Sequence, residues 1–159
     1  MNIEIFNMTK PQRVYLDTNL LMDFFRRIIR HRKDIPEIIE FLEERKETEK
    51  YISVFTIAEI TANLMNEFKD RNLKKEYIIG LVNTLKSTIQ LNIIEHEVIE
   101  LSSIMIDYAY ECRDAKDSIH VLIAKKNDLW FITRDNDVPR LKPLYEKIMG
   151  ERKFRKQFD

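Results

Sequence analysis

The sequence predicts an α/β fold built around a mainly parallel sheet. One observation supports this fold class, and two more limit which kind of α/β protein it is. Short apolar segments of strand length alternate along the chain with segments whose apolar residues repeat at helical spacing. Glycine occurs only twice, at Gly80 and Gly150, so neither a P-loop nor a dinucleotide-binding turn can be built. No repeat or linker interrupts the 159 residues, so we expect one domain over residues 1–150 and a charged tail over 151–159.

The strands are predicted from short apolar runs bounded by polar or turn residues. A parallel sheet buried on both faces favours such continuous runs over an alternating pattern. Four strands are predicted, over residues 14–17, 51–55, 91–94 and 129–133.

The helices are predicted from apolar residues at i, i+3 and i+4 spacing. After Asp17, such a stripe runs from Leu20 to Ile28, and Pro36 is typical of the first turn of a second helix that reaches about residue 46. Thr56 is the expected N-cap of a third helix, with Glu59 completing a capping box. Further helices are predicted over residues 74–87, 97–110, 115–126 and 138–149.

Composition excludes several classes of protein. Lys plus Arg equals Asp plus Glu at 27 each, so bulk charge gives no indication of a strongly basic nucleic-acid binder. A single cysteine, Cys112, excludes an intramolecular disulfide and a cysteine-rich zinc site. The segment "MNIEIFNMTK" has no long apolar stretch, and no 18-residue apolar run exists, so we expect no signal peptide, no membrane span and a cytoplasmic location.

Four acidic residues are expected at one edge of the sheet. Ligands of open parallel sheets bind beyond the carboxyl ends of the strands. Asp17 ends the first strand, Asp135 follows the fourth, and Glu59 and Asp117 lie in the first turns of predicted helices. Each acid alone could equally cap a helix or close a turn. Together they would repel one another unless a cation lay among them.

Oxygen ligands without cysteine or clustered histidine favour Mg²⁺ or Mn²⁺. Such an ion activates water and neutralises a phosphodiester during in-line attack. Thr133 or Thr18 could orient an acid or the water by hydrogen bonding, and His120 is more typical of a packed, hydrogen-bonded histidine than of a catalytic one. A basic cluster over residues 26–33 could bind a backbone phosphate or could simply be a solvated helix end.

Three stretches give the chain a resemblance to PIN-domain nucleases, whose small stand-alone members include the toxins of VapC-type toxin–antitoxin pairs. They are "YLDTNLL", "TIAEI" and "KDSIHVLIAKKNDLWFITRDND". The resemblance places the four acids of the family, as catalytic and metal-binding residues, on Asp17, Glu59, Asp117 and Asp135, with Thr133 at a hydroxyl position of the site. Asp114 could be mistaken for the third acid, but the histidine three residues after Asp117 fixes the alignment.

The resemblance implies a three-layer α/β/α sandwich, dependence on Mg²⁺ or Mn²⁺, and endonucleolytic cleavage of RNA. It also implies a homodimer and, in toxin members, an antitoxin that covers the cleft. Asp137 matches a frequent extra acid, whereas Val138 stands where an aromatic residue often follows it.

Two other functions compete with the ribonuclease. The first is a catalytically silent RNA- or protein-binding module on the same fold, although such modules usually lose one or more of the acids. The second is a phospho-accepting signalling domain, which would require an acidic pair at the first strand and a lysine at a late strand end. Asp17 stands alone, and the late position holds Arg134.

Overall fold

The computed structural model describes residues 10–95 and 114–159 of the chain. Its centre is a sheet of five parallel strands in the order β3-β2-β1-β4-β5. β1 pairs with both β2 and β4: the strands that follow β1 in the chain are added on one side of it as far as β3, and then on the other side from β4 onwards. In an open parallel sheet this switch point creates a crevice at the carboxyl edge, where ligands bind.

The five strands are short and mostly buried. β1 begins after an exposed Arg13, and its remaining residues are all buried. The strands are β1 (Arg13–Leu16), β2 (Glu49–Ser53), β3 (Leu91–Ile94), β4 (Trp130–Thr133) and β5 (Ile148–Gly150).

Seven α-helices lie within the described residues, six of them between strands and the last after β5. They are α1 (Thr18–Ile29), α2 (Glu37–Glu44), α3 (Val54–Glu67), α4 (Lys75–Ile89), α5 (Ala115–Lys126), α6 (Val138–Leu141) and α7 (Glu151–Arg155).

Two apolar cores, one on each face of the sheet, produce three layers. Successive strand residues point to opposite faces, so Leu16 and Ile52 join one core while Tyr15 and Phe131 join the other. The first core is closed mainly by α1 to α4 together with Phe154 of α7. The second core is closed by α5, α6 and the residues that follow α6. The predicted α/β/α sandwich is therefore confirmed.

The predicted helix over residues 138–149 is wrong. Helix α6 ends at Leu141, and the chain then returns to the sheet as β5, whose Ile148 to Gly150 pair with Phe131 to Thr133 of β4. Leu144, Tyr145, Ile148 and Met149 are all buried. Their i, i+1, i+4, i+5 spacing imitates a helical stripe although the chain is not helical there.

The predicted cap of α3 is also wrong. Ser53, not Thr56, is the N-cap, and Thr56 is the third helical residue of a capping box in which each side chain accepts a hydrogen bond from the backbone of the other. The helix therefore begins earlier than predicted, and Glu59 lies in its second turn. There its carboxylate is available to the sheet edge instead of being a cap.

Residues 151–155 of the segment expected to be a charged tail form α7, and Phe154 is fully buried. The predicted helix over residues 97–110 lies outside the described residues, as does Cys112. None of the helices in residues 10–95 and 114–159 combines the length and apolar character that crossing a membrane requires.

Candidate active site

Asp17 lies where β1 gives way to α1, at the switch point of the sheet. Its backbone N–H donates to the carbonyl of Ile132 at 3.0 Å, and its carboxylate is the N-cap acceptor for Asn19. The Thr133 hydroxyl at the end of β4 donates to Oδ2 of Asp17 at 2.6 Å. The acid is only 2 % exposed. Asp17 is thus a buried carboxylate, held by neutral donors on β4 and α1.

The charge of Asp17 is poorly compensated. Burial raises the pKa of this carboxyl above its ordinary value and the negative charge of Asp117 adds to that rise, whereas the Thr133 hydrogen bond and the nearby His120 ring oppose it. Among residues 10–95 and 114–159, no basic side chain forms an ion pair with it. A buried carboxylate without a cation destabilises a protein, so Asp17 is a strong candidate for a functional group.

Glu59 approaches Asp17 from α3. Its Oε2 accepts from the Thr18 hydroxyl at 2.6 Å and lies 2.8 Å from Nε2 of His120. Burial opposes the ionisation of Glu59, but the hydrogen bonds from His120 and Thr18 outweigh it, so the pKa of Glu59 is lowered. The exposed Lys116 ammonium is 3.8 Å from the other oxygen, Oε1.

Asp17 and Glu59 share one arrangement, and we call them the hydroxyl-bound pair. In each, one carboxylate oxygen is fixed by a threonine hydroxyl at 2.6 Å. Thr133 and Thr18, which the sequence suggested as hydroxyls that orient an acid, both do so. The remaining oxygens have weaker partners: a 3.5 Å contact from the backbone of Asn19 in one case and Lys116 in the other.

Asp117 lies in the first turn of α5 and is bound by Arg140 of α6. Arg140 also reaches Asp137 at 3.5 Å. Asp114 has a different task, because its side chain caps α5 by accepting from the backbone N–H groups of Lys116 and Asp117. Asp114 is therefore used as a helix cap, and the choice of Asp117 as the site acid stays a prediction.

Asp135 follows β4 and lies against β5. A Cβ at Gly150 would overlap Oδ1 of Asp135 and lie 3.0 Å from its Cα, so the carboxylate uses the space that a side chain at position 150 would fill. The exposed Arg152 is 3.5 Å from its Oδ2. Asp117 and Asp135 each have an arginine partner, and we call them the arginine-bound pair.

Within the residues that the structure describes, no three acidic, histidine or cysteine side chains lie close enough together to hold a metal ion as they stand. Asp17 and Glu59 are linked through Thr18, and Asp17 senses the charge of Asp117. Asp135 instead lies over Gly150. The assignment of these four acids as metal ligands, and of Thr133 as catalytic, stays a prediction.

The basic cluster over residues 26–33 is not part of this edge. It lies at the C-terminal end of α1, and Asp17 caps the opposite end of that 12-residue helix, about 18 Å away. Arg26 and Arg30 bind Glu67, while Arg27 and Arg32 bind Asp34. Four of its arginines are thus ion-paired, as expected for a solvated helix end, and its use as a phosphate-binding site stays a prediction.

Sequence reasoning missed the partners of the acids. Arg140 and Arg152 belong to α6 and α7, in the region that was wrongly predicted as one long helix and a tail. The contact between His120 and Glu59 joins residues 61 positions apart. The spacing of His120 from Asp117 was a signal for a shared helix face, but nothing in the sequence indicated Glu59 as its partner.

Comparison with known families agrees with this architecture. A family model for the PIN domain matches residues 14–143, which include every strand except β5 and all four acids. A search of curated proteins finds no significant match. The matched segment spans most of the chain, and the parallel sheet with an acid at its switch point is the nuclease-type fold of that family. The chain therefore belongs to the PIN domain family.

Proposed function

We propose that this chain is a metal-dependent endoribonuclease that hydrolyses RNA phosphodiester bonds. The observation that carries the proposal is Asp17, a buried carboxylate at the switch point whose pKa is raised by burial and by the neighbouring Asp117. Its charge has no ion-pair partner in the described parts of the chain. A cation bound at this edge would supply the compensation that the protein lacks.

The donor set fits Mg²⁺ or Mn²⁺. The acids at the edge offer only carboxylate oxygens, which are the ligands of hard divalent cations. In the hydroxyl-bound pair, one oxygen of each carboxylate is already oriented by a threonine, and orienting contacts of this kind strengthen metal sites. Asp17, Glu59, Asp117 and Asp135 would hold the ion. When bound, it supplies an activated water and neutralises the phosphodiester.

The arginine-bound pair supports a second role for the basic side chains. Arg140 and Arg152 are exposed on the surface, so each can rotate away from its carboxylate at little cost. A guanidinium released beside the acids can bind an RNA phosphate in a bidentate manner. The same two arginines would thus balance the acids before the metal binds and contact the substrate afterwards.

The alternative is a catalytically silent RNA- or protein-binding module on the same fold. One observation favours it: Asp117 and Asp135 both have arginine partners, and no three candidate ligands are assembled in the described residues. Calorimetric titration with Mn²⁺ separates the two functions. The nuclease requires a site that disappears in Asp17→Asn, whereas the silent module has no such site. A toxin role, an antitoxin partner, a homodimer and a cytoplasmic location stay predictions.

The proposal is tested by cleavage of a fluorescently labelled RNA of mixed sequence in Mn²⁺, with DNA of the same sequence alongside. We expect cleavage of the RNA, loss of cleavage in a chelator, and a decrease of about 100-fold or more in Asp17→Asn, because ligand loss removes several kcal/mol of stabilisation of the developing charge.

Asp114→Asn is the matched control. It removes one carboxylate from the same helix start, but asparagine caps helices as well as aspartate does. This variant should cleave at the rate of the parent. A folded Asp17→Asn variant that cuts RNA as fast as the parent would overturn the proposal, as would cleavage that survives the chelator.

A further inference from the structure

A continuous set of buried hydrogen bonds joins the cap of α3 to Glu59. At its centre is the hydroxyl of Tyr15, a fully buried residue of β1. This hydroxyl lies 2.8 Å from Oγ of Ser53, 3.0 Å from Oγ1 of Thr56 and 2.8 Å from Nδ1 of His120. On its other side, the His120 ring meets Glu59. The protons of this set can be placed by counting donors and acceptors.

The capping box leaves the hydroxyl protons of Ser53 and Thr56 free to be donated. The Ser53 oxygen accepts from the backbone of Thr56 at 3.3 Å, and the Thr56 oxygen accepts from the backbone of Ser53 at 3.2 Å. Each hydroxyl therefore has its own proton left for Tyr15, because their mutual contact of 3.4 Å is longer than either contact with that residue. Two donated bonds fill the lone pairs of the Tyr15 oxygen.

With both hydroxyls donating to it, Tyr15 donates its own proton to Nδ1 of His120. A phenol has an ordinary pKa of about 10, so the proton stays on the Tyr15 oxygen at physiological pH. An Nδ1 atom that accepts a hydrogen bond has no proton of its own. The neutral ring consequently has its proton on Nε2.

The contacts on the Glu59 side require the same tautomer. Nε2 lies 2.8 Å from Oε2 of Glu59 and 3.3 Å from Oγ1 of Thr18, whose own proton goes to Glu59 at 2.6 Å. With its proton on Nδ1, the ring would place an acceptor nitrogen against an ionised carboxylate oxygen at 2.8 Å. With its proton on Nε2, the ring donates to Glu59.

We propose that His120 is a positioning residue, which Tyr15 holds as the Nε2–H tautomer and which fixes Oε2 of Glu59 so that Oε1 is left to bind a divalent cation. The binding of a cation by Oε1 of Glu59 rests on the proposed function, whereas the tautomer of His120 does not. Side chains behind a metal ligand fix its orientation in this way, and their loss weakens metal binding by about 10–100-fold.

The tautomer is measured by NMR on the metal-free protein labelled with ¹⁵N-histidine at neutral pH. We expect the His120 ring to be protonated on Nε2 and unprotonated on Nδ1, with its signals assigned by their loss in His120→Gln. In Tyr15→Phe the donor to Nδ1 is missing and only the contact with Glu59 still favours Nε2–H, so a minor population protonated on Nδ1 should appear beside it. A parent ring protonated on Nδ1, or on both nitrogens, would overturn the inference.

A matched pair of variants tests the positioning of Glu59. In place of histidine, glutamine puts an amide nitrogen near the position of Nε2 and retains a donor to Glu59, whereas asparagine reaches only the position of Nδ1, beside Tyr15. Calorimetric titration with Mn²⁺ should therefore show affinity close to that of the parent for His120→Gln and affinity about 10–100-fold weaker for His120→Asn.

Two calorimetric results contradict the inference: equal affinities in the parent and both variants, or equal weakening in both variants, which indicates a role in packing alone. Thermal unfolding of both proteins checks that they are folded. A parent that binds no Mn²⁺ contradicts the proposed function instead, and in that case the NMR measurement still decides whether Tyr15 sets the tautomer of His120.

Discussion

The hydroxyl-bound pair and the arginine-bound pair place negative charge at the same edge of the sheet but balance it differently. Asp17 and Glu59 are fixed by neutral hydroxyls and an imidazole on buried strands and helices. Asp117 and Asp135 are bound by guanidinium groups from two short helices on the surface. In the first pair Asp17 has no ion-pair partner among the described residues and Glu59 has only the exposed Lys116 at 3.8 Å, whereas both acids of the second pair are bound by arginine.

This difference separates two requirements of a metal site. A rigid ligand needs donors that fix its position without neutralising it, which is what a threonine hydroxyl provides. An exposed ligand with an arginine partner can exchange that partner for a metal ion, and the arginine is then close to any phosphate that the metal binds. The comparison therefore predicts different consequences of disturbing each pair.

The largest effect is expected from Gly150→Ala, which moves an acid of the arginine-bound pair. The backbone at position 150 is extended and accepts alanine, but the added Cβ overlaps Oδ1 of Asp135, so the carboxylate must shift. Because misplacement of a catalytic group by about 1 Å can cost 100-fold in rate, we expect RNA cleavage to decrease by on the order of 100-fold.

Gly80→Ala is the control for this variant. It lies in the interior of α4, and no atom lies within 4 Å of its added Cβ. Alanine there should leave cleavage unchanged and raise the free energy of unfolding by roughly 0.5–1 kcal/mol. Equal cleavage by Gly150→Ala and the parent would show that the position of Asp135 does not matter.

A smaller effect is expected from Arg140→Gln, which should strengthen metal binding. The substitution removes the cation that competes for Asp117. An exposed ion pair contributes roughly 0.2–1 kcal/mol, so Mn²⁺ should bind up to about fivefold more tightly. RNA cleavage should weaken at the same time if the released guanidinium contacts phosphate.

Arg155→Gln is the matched control, because Arg155 pairs with Glu37 and Glu151 and touches none of the four acids. It should leave Mn²⁺ affinity unchanged. If Arg140→Gln instead weakens Mn²⁺ binding, the arginine supports the position of Asp117 and does not compete with the metal.

The hydroxyl-bound side of the site was more predictable from sequence than the arginine-bound side. Asp17 and Thr133 lie at the ends of strands whose apolar runs are clear. The pairing of β1 with β4 brings them together, independently of the conformation of the loops. The helix that bears Glu59 was also recognised. Only its cap was misplaced, because Ser53 and Thr56 are both good cap residues three positions apart.

The arginine-bound side depends on β5, which sequence patterns could not reveal. That strand has three residues, too few for a period of two to be seen, and the residues of β4 with which it pairs lie 17 positions earlier in the chain. The apolar residues around it repeat at a spacing that also suits a helix. The space at Gly150 and the reach of Arg152 follow only once β5 is paired with β4.

The charge on Asp17 makes stability depend on pH in a definite direction. Burial raises the pKa of Asp17 above its ordinary value of 3.8, so the folded state binds this proton more tightly than the unfolded state does. The contribution of Asp17 to stability therefore falls as the pH rises from about 4 through the pKa in the folded protein, and the full cost is present above that pKa.

The most direct test of the uncompensated charge is the free energy of unfolding of the metal-free parent and of Asp17→Asn at neutral pH. We predict that the variant is the more stable protein, since burial raises the pKa of Asp17 and its ionised form therefore destabilises the fold at neutral pH. The difference should shrink toward pH 4, and Mn²⁺ should stabilise only the parent. A variant less stable than the parent without metal would contradict the account.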